Sequence, residues 1–509
     1  MTGASILFID HDAADLARTA PPHFTDLYLD QIVNAIVAGK EFYDLKPFFY
    51  EPLHDPDAVA FRHEVLHDLD SAAAYGVVRH FAWRMESVRK TLGEVSRRYN
   101  QLQKMRWFLN AAIAYGTAVE ALQSGLQKSD VASRGLRRFS DYLAAYTASP
   151  TFRGFVDAAH AIDAALSRVR YSVFIEGLRV TVEPFGDEAD YGAEVANLFA
   201  RFEGMAVKPH AFEFGESADV NQVEGNVLRL VARAHPEEFT ALERYYEHHR
   251  DFLDPGVVAF DSEAQFYLSY LDYIARLKDR GLPFCYPRTS AQNKTVRVKN
   301  TYDLALAQKL IADDKTPVPN DIRLEGSERI IVVTGPNQGG KTTFARTVGQ
   351  LHYLASLGLP VPGSEAQLYL PDAIFAHFER AEAMTNLTGK LQDDVVRIHA
   401  ILEAATTQSL IIINEIFAST TLADAIALSR KIARKIAERD TLSVWVTFID
   451  EIASEGKKTV SMVSTVDPDN PEVRTFKIVR QPADGLAYAL SLARKYRLTQ
   501  ELLAERLRR

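Results

Sequence analysis

The chain is short of the features that mark the more specialised protein classes. It has one cysteine, Cys285, so no internal disulfide can form and a reducing compartment suits it. That thiol is read as a core side chain. No run of about 18 apolar residues occurs anywhere. The apolar patch in MTGASILFIDHDAADL has no basic run ahead of it, so neither a spanning helix nor a secretory leader is expected. Repeats and low-complexity tracts are missing too. So is a positive balance: the formal net charge is −9, which argues against a generic nucleic-acid coat unless charge is concentrated locally. These absences leave a soluble, cytoplasmic protein with no membrane partner as the expectation.

What is present describes a globular chain. Hydrophobic residues make up 47% and charged residues 25% of 509 positions, enough for roughly three domains. Composition changes near residue 300. Before it long helical patterns dominate; after it short apolar β-rich runs, RIIVV (329 to 333), LIIIN (410 to 414) and LSVWVTF (442 to 448), alternate with helical segments. Such alternation predicts a parallel α/β sheet. VRTFKIV (473 to 479) reads as a late strand at its edge. The expected fold class is therefore α+β and multidomain, with a mostly helical region over 1–300 and an α/β domain over 301–509.

In the first region Val88, Leu92, Val95, Tyr99 and Leu102 recur at helical steps and predict one side of a long helix. Between 84 and 106 the other faces carry Arg84, Arg89, Lys90, Arg97, Arg98, Lys104 and Arg106 against Glu86 and Glu94. This is a basic rod in an acidic protein, either a solvated face or a surface that tracks phosphates, with Arg97 and Arg98 at its centre. A second basic cluster follows at Lys128, Arg134, Arg137 and Arg138. YSVFIEGLRVTVEPF (171 to 185) predicts a hairpin turning at Glu176-Gly177. Helices resume from about 221 to 280, with a break near Pro255.

TGPNQGGKTT (334 to 343) has phosphate-loop spacing. Glycines let successive N–H groups curl around phosphate oxygens, Lys341 adds charge at the outer phosphates, and Thr342 offers a hydroxyl to magnesium. A strand runs into the loop and a helix leaves it, so a helix N-terminus adds its dipole. The nucleotide-binding candidates are Asn320, Gly335, Pro336, Asn337, Gln338, Gly339, Gly340, Lys341, Thr342 and Thr343, with ATP and Mg2+ as ligands. LIIIN supplies the second half. In such sites the first acid at the strand end serves the metal and the next polarises the attacking water. Here the pair is Asn414-Glu415, so Glu415 keeps the catalytic role. Asn414, which with Thr342 forms the candidate metal site, offers an acceptor without a charge.

These residues resemble the MutS superfamily of DNA mismatch-repair ATPases. TGPNQGGKTT is similar to its TGPNMGGKST. VPND (318 to 321) looks like the segment ahead of its nucleotide site, VPGSEAQL (361 to 368) sits where its VPA turn is expected, and ILEAATTQSLIIINEI (401 to 416) matches its spacing before the acidic pair. The resemblance is strongest over 318–425. It implies an ATPase domain preceded by core, lever and clamp regions, DNA binding, and a homodimer closed partly by GLAYALSLARKYRLTQELLAERL (485 to 507). Asp424 matches an acidic position of the loop after the hydrolysis strand.

The departures are specific. The family's strand-end aspartate is Asn414, its switch histidine falls on Phe448, and its trans-acting STF signature falls on Gly389, Lys390 and Leu391. Phe49, Tyr50 and Glu51 spell the family's mismatch wedge, but they lie beside what reads as the core, without room upstream for a wedge domain. Phe49 is therefore read as a core aromatic. The sequence thus favours a slow ATPase that recognises DNA structure. A nucleotide-gated protein-interaction module without DNA binding or turnover is the alternative.

Overall fold

The computed structural model describes residues 4–9, 16–177, 179–186, 222–379, 389–467, 470 and 473–483. They form two compact units. The described parts of 68–132 and 136–261, with Ala4, make the first; those of 5–67, 133–135 and 262–509 make the second. Packing therefore divides the chain discontinuously, because the segment before residue 68 folds with the later α/β region. The carboxy-terminal run 485–507 lies outside the described residues.

The first unit is helical. Ala72–Arg97 and Gln101–Lys128 pack against each other. The helix expected to run through residues 88 to 102 breaks in that span, because Asn100 takes a β conformation and its Oδ1 accepts the N–H groups of Leu102 and Gln103, starting a new helix. Tyr99, expected on the buried side, is 95% exposed in the break. The residues around Tyr115, Phe155 and Phe252 form an aromatic core, and Phe139 stacks on Phe260 at 3.7 Å. The predicted hairpin pairs Tyr171–Glu176 with Arg179–Pro184 around Gly177. Gln222–Ala234, Pro236–His248 and Pro255–Lys278 follow. The expected break at Pro255 has a physical cause: Asp254 Oδ1 accepts the Val257 N–H and Pro255 occupies the first turn. A second break, at His235-Pro236, was not anticipated.

The second unit is built on a six-stranded sheet. Its strands are β1 (Ile330–Thr334), β2 (Ile374–His377), β3 (Leu410–Asn414), β4 (Leu442–Val446), β5 (Thr459–Val466) and β6 (Arg474–Arg480). The order is β2-β3-β4-β1-β5-β6; neighbours are parallel except for β6, which is antiparallel at the edge. β1, β3 and β4 are buried at every position, as their largely apolar runs demand of a sheet covered on both faces. Phe49 is wholly buried against Phe266, a core aromatic as expected. Burial pushes the Cys285 thiol up to about 11, which keeps it protonated and unreactive at neutral pH. Among the described residues no helix is long and apolar enough to cross a membrane.

The helix Lys341–Ser356 starts at the phosphate loop, packs on β3 and β4, and is buried along most of its length. A helix buried all round must satisfy its polar side chains internally. Gln350 does so by accepting the Leu304 N–H at 2.8 Å and donating to Leu27 O at 2.9 Å, which ties the helix to segments far apart in sequence. Gly349 is where it approaches closest. A Cβ there would lie 2.7 Å from both Ile412 Cδ1 and Leu27 Cδ1. Gly349→Ala is therefore expected to lower stability by about 1–3 kcal/mol through overpacking, read as a lower urea midpoint with unchanged slope. An unshifted midpoint would show that this packing relaxes freely.

Candidate nucleotide site

Between β1 and the buried helix the chain must reverse around an anion-sized gap, which requires left-handed backbone. Gly335 and Gly340 supply it at φ +110° and +91°, and Gln338 adopts φ +59°. Gly335 is also constrained by space, since a Cβ there would stand 2.7 Å from Ser464 O on β5. Ser464 Oγ donates to Gly339 O at 2.7 Å, so β5 props the loop from behind.

Lys341 is 3% exposed and folds back over the loop. Its Nζ donates to Gly335 O at 2.9 Å and Pro336 O at 3.0 Å, and lies 3.4 Å from Asn337 Oδ1. The ammonium sits 4.7 Å from the centroid of Phe448, the ring at the position of the expected switch histidine. Desolvation lowers the lysine pKa, and Glu415 opposes that shift. Phe448 is half exposed and has no group that could report on a phosphate by hydrogen bonding.

The two sequence halves of the site meet. Thr342 Oγ1 donates to Asn414 Oδ1 at 2.9 Å, joining the first turn of the helix to the end of β3. Glu415, the next residue, is half-buried, and desolvation raises its pKa despite the nearby Lys341. A hydroxyl and an amide oxygen form a neutral pair of oxygen donors, which fits a hard cation that arrives with phosphate oxygens of its own. Among the described residues no cluster of three or more His, Cys, Asp or Glu side chains offers an independent metal site.

One cavity of about 760 Å3 gathers Asn320, Asn337, Gln338, Gly339, Gly340, Lys341, Thr342, Thr343 and Glu415. Gly335 and Pro336 reach it through the carbonyls that hold Lys341, and Asn414 through Thr342. Asn320 has a structural task as well. It donates to Phe476 O at 3.1 Å and accepts the Ile478 N–H at 2.7 Å, so its side chain binds the preceding segment to edge strand β6. Sequence reasoning missed the apolar half of this cavity, formed by Leu306, Leu310, Val318 and Phe476. These residues belong to no phosphate motif and come from three separate places: the helix Leu304–Ala312, the VPND segment that contains Val318, and edge strand β6.

The remaining candidates are scattered. Asp424 serves local structure: its N–H and Oδ2 both bond the hydroxyl of Thr421, the helix N-cap. Lys390 forms an ion pair with Glu379. In the first unit Arg97 has a side chain 79% exposed and pairs with Glu94, whereas Arg98 is 5% exposed and stacked on Trp107 at 4.6 Å. Of that pair Arg97 presents its charge to solvent, whereas the Arg98 guanidinium is buried against Trp107 and also pairs with Glu94.

The model of the MutS domain V family matches residues 331–506. Endonuclease MutS2 of Thermus thermophilus is 29% identical over 191 residues, which is 36% of this chain and 25% of that protein. DNA mismatch repair protein MutS of Aquifex pyrophilus is 29% identical over 195 residues, 38% of this chain and 23% of that protein. A protein of the same name from Granulibacter bethesdensis is 27% identical over 241 residues, 46% and 25% of the two chains. The matches thus cover about a quarter of each relative's length.

Lys341→Ala removes the buried ammonium that lies over the loop. ATP affinity, measured by fluorescence titration, is expected to fall about tenfold or more, the scale of deleting a hydrogen bond to a charged group. Wild-type affinity in that variant would contradict a phosphate role for this lysine.

Proposed function

We propose that this chain, whose residues 331–506 match MutS domain V, is a member of the MutS superfamily that binds ATP, hydrolyses it slowly, and couples nucleotide state to DNA binding as a homodimer. The observation that carries the ATPase reading is the 2.9 Å hydrogen bond between Thr342 and Asn414, with Glu415 next in sequence. It brings together, from distant parts of the chain, the residue types that phosphoryl transfer to water requires.

The apolar half of the cavity suits a base, and the glycine-rich half suits a triphosphate. The loop N–H groups and the helix N-terminus bind the phosphates, while Lys341 turns from its loop carbonyls toward the outer ones. Glu415 orients and deprotonates the attacking water. Thr342 and Asn414 would hold Mg2+, which would supply charge neutralisation at the phosphates. Because Asn414 brings no charge, the metal is held more weakly than an aspartate would hold it, and turnover is slow.

A binding switch without turnover is the second reading. It is favoured by that same neutral amide and by the apolar ring of Phe448 over Lys341. Two variants separate the readings. Asn414→Asp is expected to raise turnover and lower the magnesium requirement, and Glu415→Gln to suppress turnover while sparing ATP binding. The working form of Glu415 is the carboxylate and desolvation raises its pKa. Turnover should therefore fall as pH drops through a pKa raised above that of an ordinary glutamate. Wild-type hydrolysis no higher than that of Glu415→Gln, with DNA and magnesium in excess, would establish the switch.

DNA binding is proposed to be electrostatic and to recognise structure rather than sequence, using the exposed basic side chains of Ala72–Arg97. Lys90 and Arg97 have side chains 73% and 79% exposed. Reversing both to glutamate is expected to reduce the slope of log affinity against log salt by about two, near one for each phosphate no longer neutralised. Unchanged affinity and slope on duplex, branched and mismatched DNA would leave this face merely solvated.

A further inference from the structure

The turn that carries Glu415 is strained. Glu415 and Phe417 both occupy left-handed backbone, at φ +53° and +63°, although neither is glycine. Each such residue costs on the order of 1–3 kcal/mol and persists only where its surroundings over-determine it. Two hydrogen bonds do so here. The Glu415 N–H donates to Val446 O on the neighbouring strand at 3.0 Å, and the Phe417 N–H donates to Asp394 Oδ2 at 3.2 Å. The side chains of Ile416 and Phe417 are buried below the turn.

Asp394 is an unexpected residue to find in that place. It is 8% exposed, on the helix Lys390–Ala404, and its second oxygen lies 3.4 Å from Nε2 of His377, itself 1% exposed at the end of β2. A carboxylate is costly to bury, and an apolar side chain could have packed under the same turn with no such penalty. An acceptor is needed there because the Phe417 N–H is otherwise buried without a bond. Asp394 is not among the residues that line the nucleotide cavity, so any effect it has on chemistry must pass through the turn.

From this geometry we infer that Asp394 is a positioning residue for hydrolysis: by accepting the Phe417 N–H it holds Glu415 in the left-handed conformation that aims its carboxylate at the nucleotide cavity. The inference rests on the ATPase reading above and adds to it a mechanical link. The helix bearing Asp394 begins just after Gly389, and its first residue, Lys390, is paired with Glu379. A displacement of this helix start is therefore delivered to the water-activating carboxylate through one hydrogen bond, without touching the phosphate loop.

The test compares Asp394→Asn, which keeps an acceptor oxygen at the same reach, with Asp394→Ser, which is too short to bond the turn. Turnover and ATP affinity are measured on the full chain with Mg-ATP, alongside thermal midpoints that establish folding. Asp394→Ser is expected to lose turnover by about ten- to a hundredfold, the scale of a misplaced catalytic group, with ATP affinity within about threefold of wild type. Asp394→Asn is expected to restore most of it. Equal loss in both variants, a parallel loss of affinity, or full activity in Asp394→Ser would each overturn the inference. Crystal structures of the two variants give a reading independent of turnover. Residue 417 should keep positive φ in Asp394→Asn and leave it in Asp394→Ser. Should the wild-type protein prove not to hydrolyse ATP, the ATPase reading fails, while these structures still decide whether Asp394 holds the turn.

Discussion

The hydrogen bond from Thr342 to Asn414 is the constraint on which the site depends, because it fixes the start of one buried helix against the end of one buried strand. Neither end can adjust independently. β3 is paired on both sides, with β2 and β4, and the helix is pinned at Gln350 to Leu27 and Leu304. Every other element of the site is registered to this junction. The phosphate loop leads into the helix at its first residue, and Glu415 leaves the strand at its last. The candidate site therefore sits at the carboxyl ends of parallel strands, where helix N-termini and strand ends converge on the same space.

Around that junction the packing alternates between tight and open. Gly349 and Gly335 mark positions where a single methyl group would collide, with side chains in one case and with backbone in the other. The cavity opens where such close approaches stop, toward edge strand β6. That strand is antiparallel and mostly exposed, and Asn320 fastens it by both ends of its amide. The rigid part of the pocket is thus the half that would meet phosphate, and the half that would meet a base is closed by an edge.

The sequence made the glycine-rich half of the candidate site legible because its requirements are local. Glycines at left-handed positions, a lysine and a hydroxyl must follow one another within a single turn, so spacing alone reveals them. The strands were equally plain, since burial on both faces leaves short, mostly apolar runs rich in Ile, Val and Leu. What escaped were features set by distant partners. Phe476 joins the cavity only because β6 folds back beside β5, and Asp394 matters only because the N–H of Phe417 happens to lie beneath it. The basic helix was harder to read for a related reason. Charge counted along a helix ignores that a guanidinium can be buried over an indole, as Arg98 is over Trp107, and that one Asn can interrupt an otherwise periodic pattern.

The inward fold of Lys341 makes the loop its own competitor. Its ammonium already has two carbonyl oxygens, an amide oxygen nearby and an aromatic face. A ligand must offer it more than these to draw it out. Any anion that draws the ammonium out must therefore replace two carbonyl oxygens and an aromatic face, an exchange for which a chain of phosphates offers more contacts than a single small anion does.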